Sequence, residues 1–394
     1  MREKIPHIWN VLWIAVLAGI NFSPALASIG FGIIAAIGIW QLFIDGKIIR
    51  LLPFISLSLV LGVLEVINNV DQSDIFKKLL LYLPWFLLPA MTYSFHAYKQ
   101  YWKRNIVFWI LPTVWIILAS IGYFISDYKF YSQMVLESKP IPLYSIVYHI
   151  EFSFLVTIQI FLLWVTLRDY SIPLFGGKKF LWVIWTILVI GIHVLSTRTG
   201  VLAFWIGMFY IFIKQGKTFN IKPQFIIMGL VAVVSAAVII PSLRNRIVNT
   251  WEDISAVVSG DDLNHKSFGQ RWEAWQAASV SWSDNFIHGV GSSSLNEAMS
   301  EGFEKNNTDL NTTNQITPHN QYLQWGLEFG ILGLLTWLVT IFIVFRNNIR
   351  EKSWSGLLVI GLIAIIFESL FERQAGMIAL VLLVGIVEST SNKK

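Results

Sequence analysis

Apolar runs of membrane-spanning length recur along almost the whole chain, and they limit the possible folds more than any other feature. The runs are roughly 14–24 residues long, close to the length that a transmembrane helix requires. Of the 394 residues, 55% are hydrophobic and only 13% are charged, whereas soluble domains carry about 25% charged residues. The sequence therefore predicts an all-α polytopic membrane protein, with a single transmembrane domain over residues 1–394.

We predict twelve transmembrane helices from these runs. They cover residues 8–23, 28–44, 51–68, 79–95, 106–126, 148–167, 179–195, 200–213, 224–241, 322–345, 354–371 and 374–389. The first run follows Arg2 and Lys4, as in a signal peptide, and the small residues of Ala25–Ser28 resemble a cleavage site. Because eleven further apolar runs follow, we expect the first helix to be retained.

The basic residues assign an orientation to this arrangement. With the N-terminus in the cytoplasm, eighteen of the 29 Lys and Arg residues fall in cytoplasmic segments, as the positive-inside rule requires. Both termini are then cytoplasmic, and residues 242–321 form a large loop on the outer face between helices nine and ten. Topology accounts for the basic excess, so no nucleic-acid partner is expected. Cysteine is absent, which excludes disulfides, thiolate metal sites and a cysteine nucleophile.

The loop over residues 242–321 is predicted to be partly helical. Four residues recur at three- and four-residue spacing within Ser267–Ser283 and predict a helix there, namely Trp272, Trp275, Ala278 and Trp282. A Trp-rich helix of this kind can lie on the membrane surface. Gly289 and Gly291 predict a turn after this helix. Residues 297–313 are polar and rich in asparagine, which is typical of a mobile segment or a lid.

Arg198 is the first candidate site residue. It lies between two apolar runs at the predicted outer rim of the membrane, in Ser196-Thr197-Arg198-Thr199-Gly200. A guanidinium there is costly unless an anion or a cavity receives it. We expect Arg198 to end helix seven and Ser196 or Thr197 to cap helix eight. The N-terminal amides of helix eight and the Arg198 side chain would then form a phosphate-binding site. The alternative is an arginine that only reaches lipid phosphates.

Arg271 and His319 are the other two candidates. Arg271 lies in the predicted loop helix, and a guanidinium suits bidentate binding of phosphate oxygens; the alternative is an interfacial arginine paired with a loop carboxylate. His319 follows Thr317 and Pro318, which are typical of an N-cap and a first helical position, so we expect His319 in the first turn of helix ten. The helix dipole disfavours imidazolium there, so we expect a neutral, proton-accepting ring unless the histidine is purely structural.

Other ionisable residues have weaker contexts. Two acidic pairs, Asp71 with Asp74 and Asp261 with Asp262, lack the three clear ligands of a divalent-ion site and read better as solvated acids. We therefore expect no metal ion and no other cofactor. His193 lies a little over one turn below Arg198, and His149 starts helix six near Glu151. Glu368 and Glu372, with Arg373, lie at the outer turn between the last two helices, where they pair with the site arginines or only with one another.

Taken together, the motifs resemble the O-antigen ligase/O-antigen polymerase superfamily of bacterial membrane glycosyltransferases. The resemblance rests on Ser196–Gly200, Gly269–Trp275, His288–Gly291, Pro318–Leu323 with Gly330 and Gly333, and Glu368–Gly376. It implies a GT-C-type inner-membrane enzyme that moves a glycan from undecaprenyl diphosphate to a hydroxyl acceptor on the periplasmic face. In the ligases, which act in lipopolysaccharide biosynthesis, the acceptor is a sugar of lipid A-core. By position, Arg198 and Arg271 would bind the diphosphate and His319 would act on the acceptor.

The chemistry of these residue types agrees with the resemblance. Cleavage of a sugar–diphosphate bond develops negative charge, which two guanidiniums and a helix N-terminus stabilise without a metal. With His319 as general base, a single displacement inverts the anomeric centre. A polysaccharide polymerase and a protein O-oligosaccharyltransferase remain alternatives, as do a lipid-linked sugar transporter and a scaffold, and the oligomeric state is open. A transporter is expected to place charges and broken helices near mid-membrane, whereas these charges cluster at one rim.

Overall fold

The computed structural model describes residues 5–68, 72–98, 101, 105–136, 141–168, 177–195, 198–219, 241–348 and 352–390. Every regular element within these ranges is a helix, so the all-α prediction is confirmed. The α-helices are α1 (Ile5–Phe22), α2 (Pro24–Ile44), α3 (Leu52–Asn68), α4 (Gln72–Phe86), α5 (Leu88–Ala97), α6 (Val107–Ser126), α7 (Tyr128–Leu136), α8 (His149–Arg168), α9 (Gly177–Leu195), α10 (Arg198–Phe219), α11 (Pro241–Ser259), α12 (Ser267–Asp284), α13 (Leu295–Lys305), α14 (Gln321–Asn348), α15 (Lys352–Phe367) and α16 (Gln374–Thr390). Short 3-10 turns cover Ile48–Leu51, Thr312–Asn314 and Leu370–Glu372.

Seven helical segments among the described residues are long and apolar enough to cross a membrane. They are Ile5–Phe22, Pro24–Ile44, Ile75–Ala97, Val107–Ser126, His149–Leu167, Gly177–Leu195 and Gln321–Ile343. Four shorter apolar helices are Phe54–Asn68, Thr199–Ile211, Gly356–Phe367 and Gln374–Val387. These eleven segments coincide with predicted helices one to eight and ten to twelve. Predicted helix nine lies almost entirely in residues 220–240, outside the described ranges, so the count of twelve stays a prediction.

Helix α8 lies at the centre of the bundle, packed against α9, α10 and α15. It has no exposed polar face, and nearly all its side chains are buried, including Phe152, Phe154 and Phe161. A helix without a polar face must be surrounded by protein or lipid on every side. Its central position places its first turn, with Glu151, among the ends of the neighbouring helices.

Helix α14 is broken in its interior at Gly330, where the backbone has φ 64° and ψ −167°. The break frees carbonyl groups that the helix would otherwise use. The loop between α12 and α13 satisfies them, because Val290 N–H donates to the Leu327 carbonyl at 2.9 Å and Gly291 N–H donates to the Glu328 carbonyl at 2.9 Å. Broken backbone at membrane depth is tolerated only when protein or water satisfies it, and here the loop does so.

Two glycines make this contact possible. Gly289 has φ +75°, and a Cβ there would lie 2.4 Å from the Glu328 carbonyl oxygen. A Cβ on Gly330 would lie 2.3 Å from the Ile287 carbonyl oxygen. Both positions therefore require glycine, for backbone conformation and for space. The turn predicted at Gly289 and Gly291 is confirmed by their positive φ angles, and it also docks the loop onto α14.

The large outer loop predicted over residues 242–321 contains three helices, α11 to α13, and a small core forms where α12 and α13 pack against Leu327 of α14. The helix predicted over Ser267–Ser283 is confirmed as α12. Its buried face, however, is formed by small residues rather than by tryptophans: Ala274, Ala277 and Ala278 are fully buried, whereas Trp272 is 38% exposed. The expectation of a mobile segment over residues 297–313 is wrong for its first part, because α13 packs its buried Phe303 into this core.

Candidate active site

One buried carboxylate, Glu368, joins two of the three candidate residues. Its Oε1 lies 2.7 Å from His319 Nδ1, and its Oε2 lies 3.4 Å from Arg271 Nη2. Glu368 directly follows the last residue of α15, Phe367, whose carbonyl accepts a hydrogen bond from Arg271 Nη1 at 2.9 Å. The Glu368 side chain is 6% exposed, whereas those of His319 and Arg271 are 22% and 20% exposed. The carboxylate is thus enclosed, and the two partner groups open towards solvent.

His319 does not lie where the sequence placed it. Helix α14 begins at Gln321, and its cap is Asn320, whose Oδ1 accepts the N–H groups of Tyr322 and Leu323 at 3.0 and 3.2 Å. The expected helix start at Thr317 and Pro318 is therefore wrong, because asparagine is an equally strong N-cap three residues later. His319 lies just outside the helix with φ 44°. Such left-handed geometry is uncommon outside glycine, and residues that adopt it are concentrated at functional sites and turns.

Arg271 is brought to His319 by the packing of α12 against the start of α14. Trp275, one turn after Arg271 on α12, donates its indole N–H to the Pro318 carbonyl at 2.7 Å. This bond ties the loop helix to the residue directly before His319. The guanidinium and the imidazole are 48 positions apart in the chain, yet they contact the same carboxylate.

Arg198 begins helix α10 instead of ending the preceding helix, since α9 ends at Leu195. Ser196, Thr197 and the Arg198 side chain lie outside the described part of the chain. The adjoining backbone is placed: a Cβ on Gly200 would lie 2.5 Å from Ser153 Oγ, and the Gly200 carbonyl accepts from Thr157 Oγ1 at 3.2 Å. Helix α10 therefore starts against the first turns of α8.

A second ion pair joins α8 to the turn that carries Glu368. Arg373 Nε lies 3.1 Å from Glu151 Oε1, and its guanidinium stacks 4.6 Å from the Tyr148 ring centre. Glu151 lies two residues before Ser153, which contacts Gly200. The starts of α8, α10 and α14 and the turn before α16 therefore meet at one end of the bundle. Arg198 begins α10, His319 lies two residues before α14, and Arg271 of α12 contacts Glu368 of that turn.

Electrostatics keep Glu368 ionised. Burial opposes ionisation of this carboxyl, but the hydrogen bond from His319 and the nearby guanidiniums of Arg271 and Arg373 outweigh burial and hold the pKa of Glu368 below its ordinary value. A carboxylate that accepts from Nδ1 directs the ring proton to that nitrogen. Nε2 is then the nitrogen that can accept a proton from a hydroxyl group.

The weaker candidates separate into two groups. Glu368 belongs to the site, whereas His193 is structural, because its Nδ1 contacts the Val189 carbonyl at 2.8 Å and its Nε2 accepts from Trp205 at 3.1 Å. Within the described ranges, no cluster of three or more His, Cys, Asp or Glu residues has the arrangement of a metal site. Asp262 accepts two hydrogen bonds from Asn264 and stabilises a turn. The Asp71 and Asp74 side chains lie outside the described residues.

Sequence reasoning missed a buried polar cluster beneath the site. Lys78, which the topology assigned to a short outer segment, is buried in α4 and contacts Glu328 and Glu372 at 2.8 and 2.5 Å. Glu65 of α3 is also buried and accepts from Ser292 Oγ at 3.0 Å. Glu328 and Glu65 each lie inside an apolar run, and an ionisable residue there is a functional candidate by default. That signal was present in the sequence.

Fold and site together define a multi-pass helical membrane protein with a carboxylate-linked His–Arg site at the ends of its helices. The O-antigen ligase family model matches residues 182–338, which include Arg198, Arg271 and His319. This match confirms the resemblance to the O-antigen ligase/O-antigen polymerase superfamily and supports an enzyme of ligase or polymerase type. The chain is also similar to an uncharacterized protein of Haemophilus influenzae, with 23% identity over 378 residues, which covers 92% of this chain and 89% of that protein.

Proposed function

We propose that this protein is an O-antigen ligase-like glycosyltransferase. It moves a glycan from undecaprenyl diphosphate to a hydroxyl acceptor, a lipid A-core sugar, on the periplasmic face of the inner membrane. The observation that carries this proposal is the meeting of Arg271 and His319 on one buried carboxylate, Glu368. The family match adds lipid-linked glycans as the substrate class.

Arg198 and Arg271 bind the donor diphosphate in this proposal. Arg271 is held by the Phe367 carbonyl and by Glu368, while a fifth of its side chain stays exposed. Its planar guanidinium is therefore oriented before the donor arrives. Arg198 is the first residue of α10, where the amides at a helix N-terminus favour an anion. Two cations and these amides stabilise the charge that develops on the diphosphate, so the reaction requires no metal.

His319 is the general base, and Glu368 is its positioning residue. The acceptor O–H proton moves to His319 Nε2 as the acceptor oxygen attacks the anomeric carbon. The bond between that carbon and the diphosphate oxygen breaks, and undecaprenyl diphosphate leaves with the electron pair. This single displacement inverts the anomeric centre. The described site supports it by offering one proton-accepting histidine beside a carboxylate that holds its Nδ1.

The proposed topology places residues 242–321 in the periplasm and both termini in the cytoplasm, within one transmembrane domain. The basic residues support this orientation. The structure adds that four of the elements around the site, α8, α10, α14 and α16, present their N-terminal ends to it. In the twelve-helix arrangement, these are four of the six helices that start on the outer side.

A transporter of lipid-linked sugars is the second candidate, and two observations favour it. Helix α14 is broken at Gly330, and the Lys78–Glu328 pair is a charged pair buried inside the bundle; broken helices and buried charges are both features of transporters. The loop backbone fills the break, however, because Val290 and Gly291 donate to the carbonyls that the break frees. At Gly289 the loop and α14 lie too close together for any side chain to fit between them. Together with the family match, this contact favours the transferase.

The test is a transfer assay with purified protein, undecaprenyl-diphosphate glycan and each candidate acceptor. His319→Ala is expected to remain folded and inserted but to lose transfer, because no base remains. His265→Ala is the matched control, since His265 is an exposed histidine on the same loop. Wild-type turnover by His319→Ala rejects the mechanism. A chelator is expected to leave the rate unchanged. Strong inhibition that Mn²⁺ or Mg²⁺ reverses would instead indicate a metal-dependent enzyme, with Asp71 and Asp74 as the candidate ligands.

The product distinguishes the alternatives. Glycan on lipid A-core identifies a ligase, elongated lipid-linked glycan a polymerase, and glycan on protein an oligosaccharyltransferase. Donor translocation in vesicles without any transfer in detergent identifies a transporter. Variants of Arg198, Arg271 and His319 that all behave like the wild type identify a scaffold.

A further inference from the structure

Three ionisable side chains from separate parts of the chain meet inside the bundle, next to the candidate site. Lys78 Nζ of α4 lies 2.8 Å from Glu328 of α14 and 2.5 Å from Glu372 of the turn before α16. The side chains of Lys78 and Glu328 are 9% and 1% exposed. Gln324 donates to Glu328 at 2.7 Å. Ionisable groups at such depth are costly unless they are paired, so the cluster has a reason to exist beyond packing.

Glu372 is held from two helices at once. Besides Lys78, Tyr82 of α4 donates to its Oε1 at 3.1 Å, and Gln321 of α14 donates to the same oxygen at 3.2 Å. The Gln321 side chain also accepts the backbone N–H of Phe371 at 2.8 Å. Gln321 is the first residue of α14, two positions after His319. The turn is thereby bonded directly to the helix start that follows the proposed base.

We propose that Lys78 is a positioning residue for the transfer reaction: through Glu372 it fixes the turn that carries Glu368. Glu368 lies four residues before Glu372 on this turn, and it holds both His319 and Arg271. If the turn shifts, Glu368 can no longer contact the His319 ring and the Arg271 guanidinium at the same time. This inference rests on the proposed function, and it assigns to a residue without substrate contact the task of aligning the base with the diphosphate-binding arginine.

The consequence of removing the lysine follows from the charges. Lys78→Met leaves the buried Glu328 and the partly exposed Glu372 as neighbouring carboxylates without their cation, so the turn moves outwards. We expect kcat to fall about 10²-fold, the effect of misplacing a reacting group by roughly 1 Å. KM for the donor is expected to change less than kcat, because Arg271 keeps its hydrogen bond to the Phe367 carbonyl while His319 loses its alignment.

A matched set of variants separates positioning from stability. Glu328→Gln breaks the same Lys78–Glu328 ion pair but leaves Lys78 on Glu372, so kcat is expected to stay near the wild-type value. Lys78→Met combined with Glu328→Met replaces the pair with apolar side chains, which restores thermal stability but not kcat. Wild-type kcat in Lys78→Met, or recovery of kcat together with stability in the double variant, would overturn the proposal.

A distance measurement tests the same idea without any activity. The chain has no cysteine, so Gln374→Cys and Asn296→Cys form a unique pair for spin labels. Both positions are exposed, one after the turn and one on α13. The label distance is expected to be narrow in the otherwise wild-type chain and shifted or broadened by Lys78→Met. An unchanged distribution rejects the positioning role. If the distance shifts but the wild-type protein transfers no glycan, the proposed function fails instead.

Discussion

Glu368→Gln is the substitution that tests the candidate site most directly. Glutamine has the same size and shape as glutamate, but it offers one oxygen where the carboxylate offers two. In the native site one oxygen faces His319 Nδ1 at 2.7 Å and the other faces Arg271 Nη2 at 3.4 Å. Arginine can only donate, so the single amide oxygen turns to Arg271 and the amide nitrogen faces His319.

The ring of His319 then changes tautomer. An amide N–H beside Nδ1 makes that nitrogen the acceptor, and the ring proton moves to Nε2, the atom that we assign as the base. In the serine protease triad, the equivalent change from Asp to Asn lowers kcat about 10⁴-fold through the wrong tautomer. That factor corresponds to about 5.4 kcal/mol at about 1.36 kcal/mol per decade.

The opposite amide orientation gives a much smaller effect. If the amide oxygen faced His319, the tautomer would be kept, and the loss would be the difference between a charged and a neutral hydrogen bond, about 1–1.5 kcal/mol. That difference corresponds to roughly tenfold in rate. The contact with Arg271 favours the first orientation, so we expect kcat to fall about 10³–10⁴-fold.

The measurement is single-turnover transfer at saturating donor. Glu301→Gln is the control, because Glu301 is an exposed glutamate on α13. KM for the donor is expected to change less than kcat, since Arg271 keeps an oxygen partner. A folded Glu368→Gln protein whose kcat falls tenfold or less would refute the claim that this carboxylate sets the tautomer of the base.

Three further predictions concern Arg198, the break in α14 and the ionised Glu368. Arg198→Lys is expected to lower kcat/KM for the donor on the order of 10²-fold, because a point charge cannot reproduce the fork; Arg244→Lys, an exposed loop arginine, should not. Gly330→Ala is expected to lower stability in thermal unfolding by at least about 1–3 kcal/mol for its backbone strain, whereas Gly32→Ala, with nothing near its added methyl, should not. The lowered pKa of Glu368 means that its carboxylate stabilises the fold above the ordinary glutamate pKa of about 4.3 and loses this effect as pH falls through the lower folded value. The difference in unfolding temperature between wild type and Glu368→Gln should therefore shrink in acid, and a difference that grows would show that the sign is wrong.

The membrane-spanning pattern could be predicted because it depends on length and composition alone. A run that must satisfy its own backbone in hydrocarbon is a helix wherever it occurs. For the same reason, the periodicity over Ser267–Ser283 located α12 to within one residue. It did not identify the buried face. The close approach of α12 and α13 selects alanine and glycine, as at Gly302 against the Ala277 carbonyl, while the larger tryptophans remain at the edge.

The start of α14 shows where local signals compete. Thr317 with Pro318 and Asn320 are both good helix starts, and the sequence cannot rank them. The structure selects Asn320, and Trp275 holds the Pro318 carbonyl outside the helix. His319 consequently has positive φ, which no local propensity favours.

The sequence by itself determined that the chain is a helical membrane protein and which side chains are chemically able to hold a diphosphate or take a proton. Only the tertiary structure decided which of them meet. Glu368 joins His319 and Arg271 across 49 and 97 positions, and Lys78 reaches Glu328 across 250. Such pairings depend on how whole helices pack, because a buried charge requires a partner but its local sequence does not specify which one.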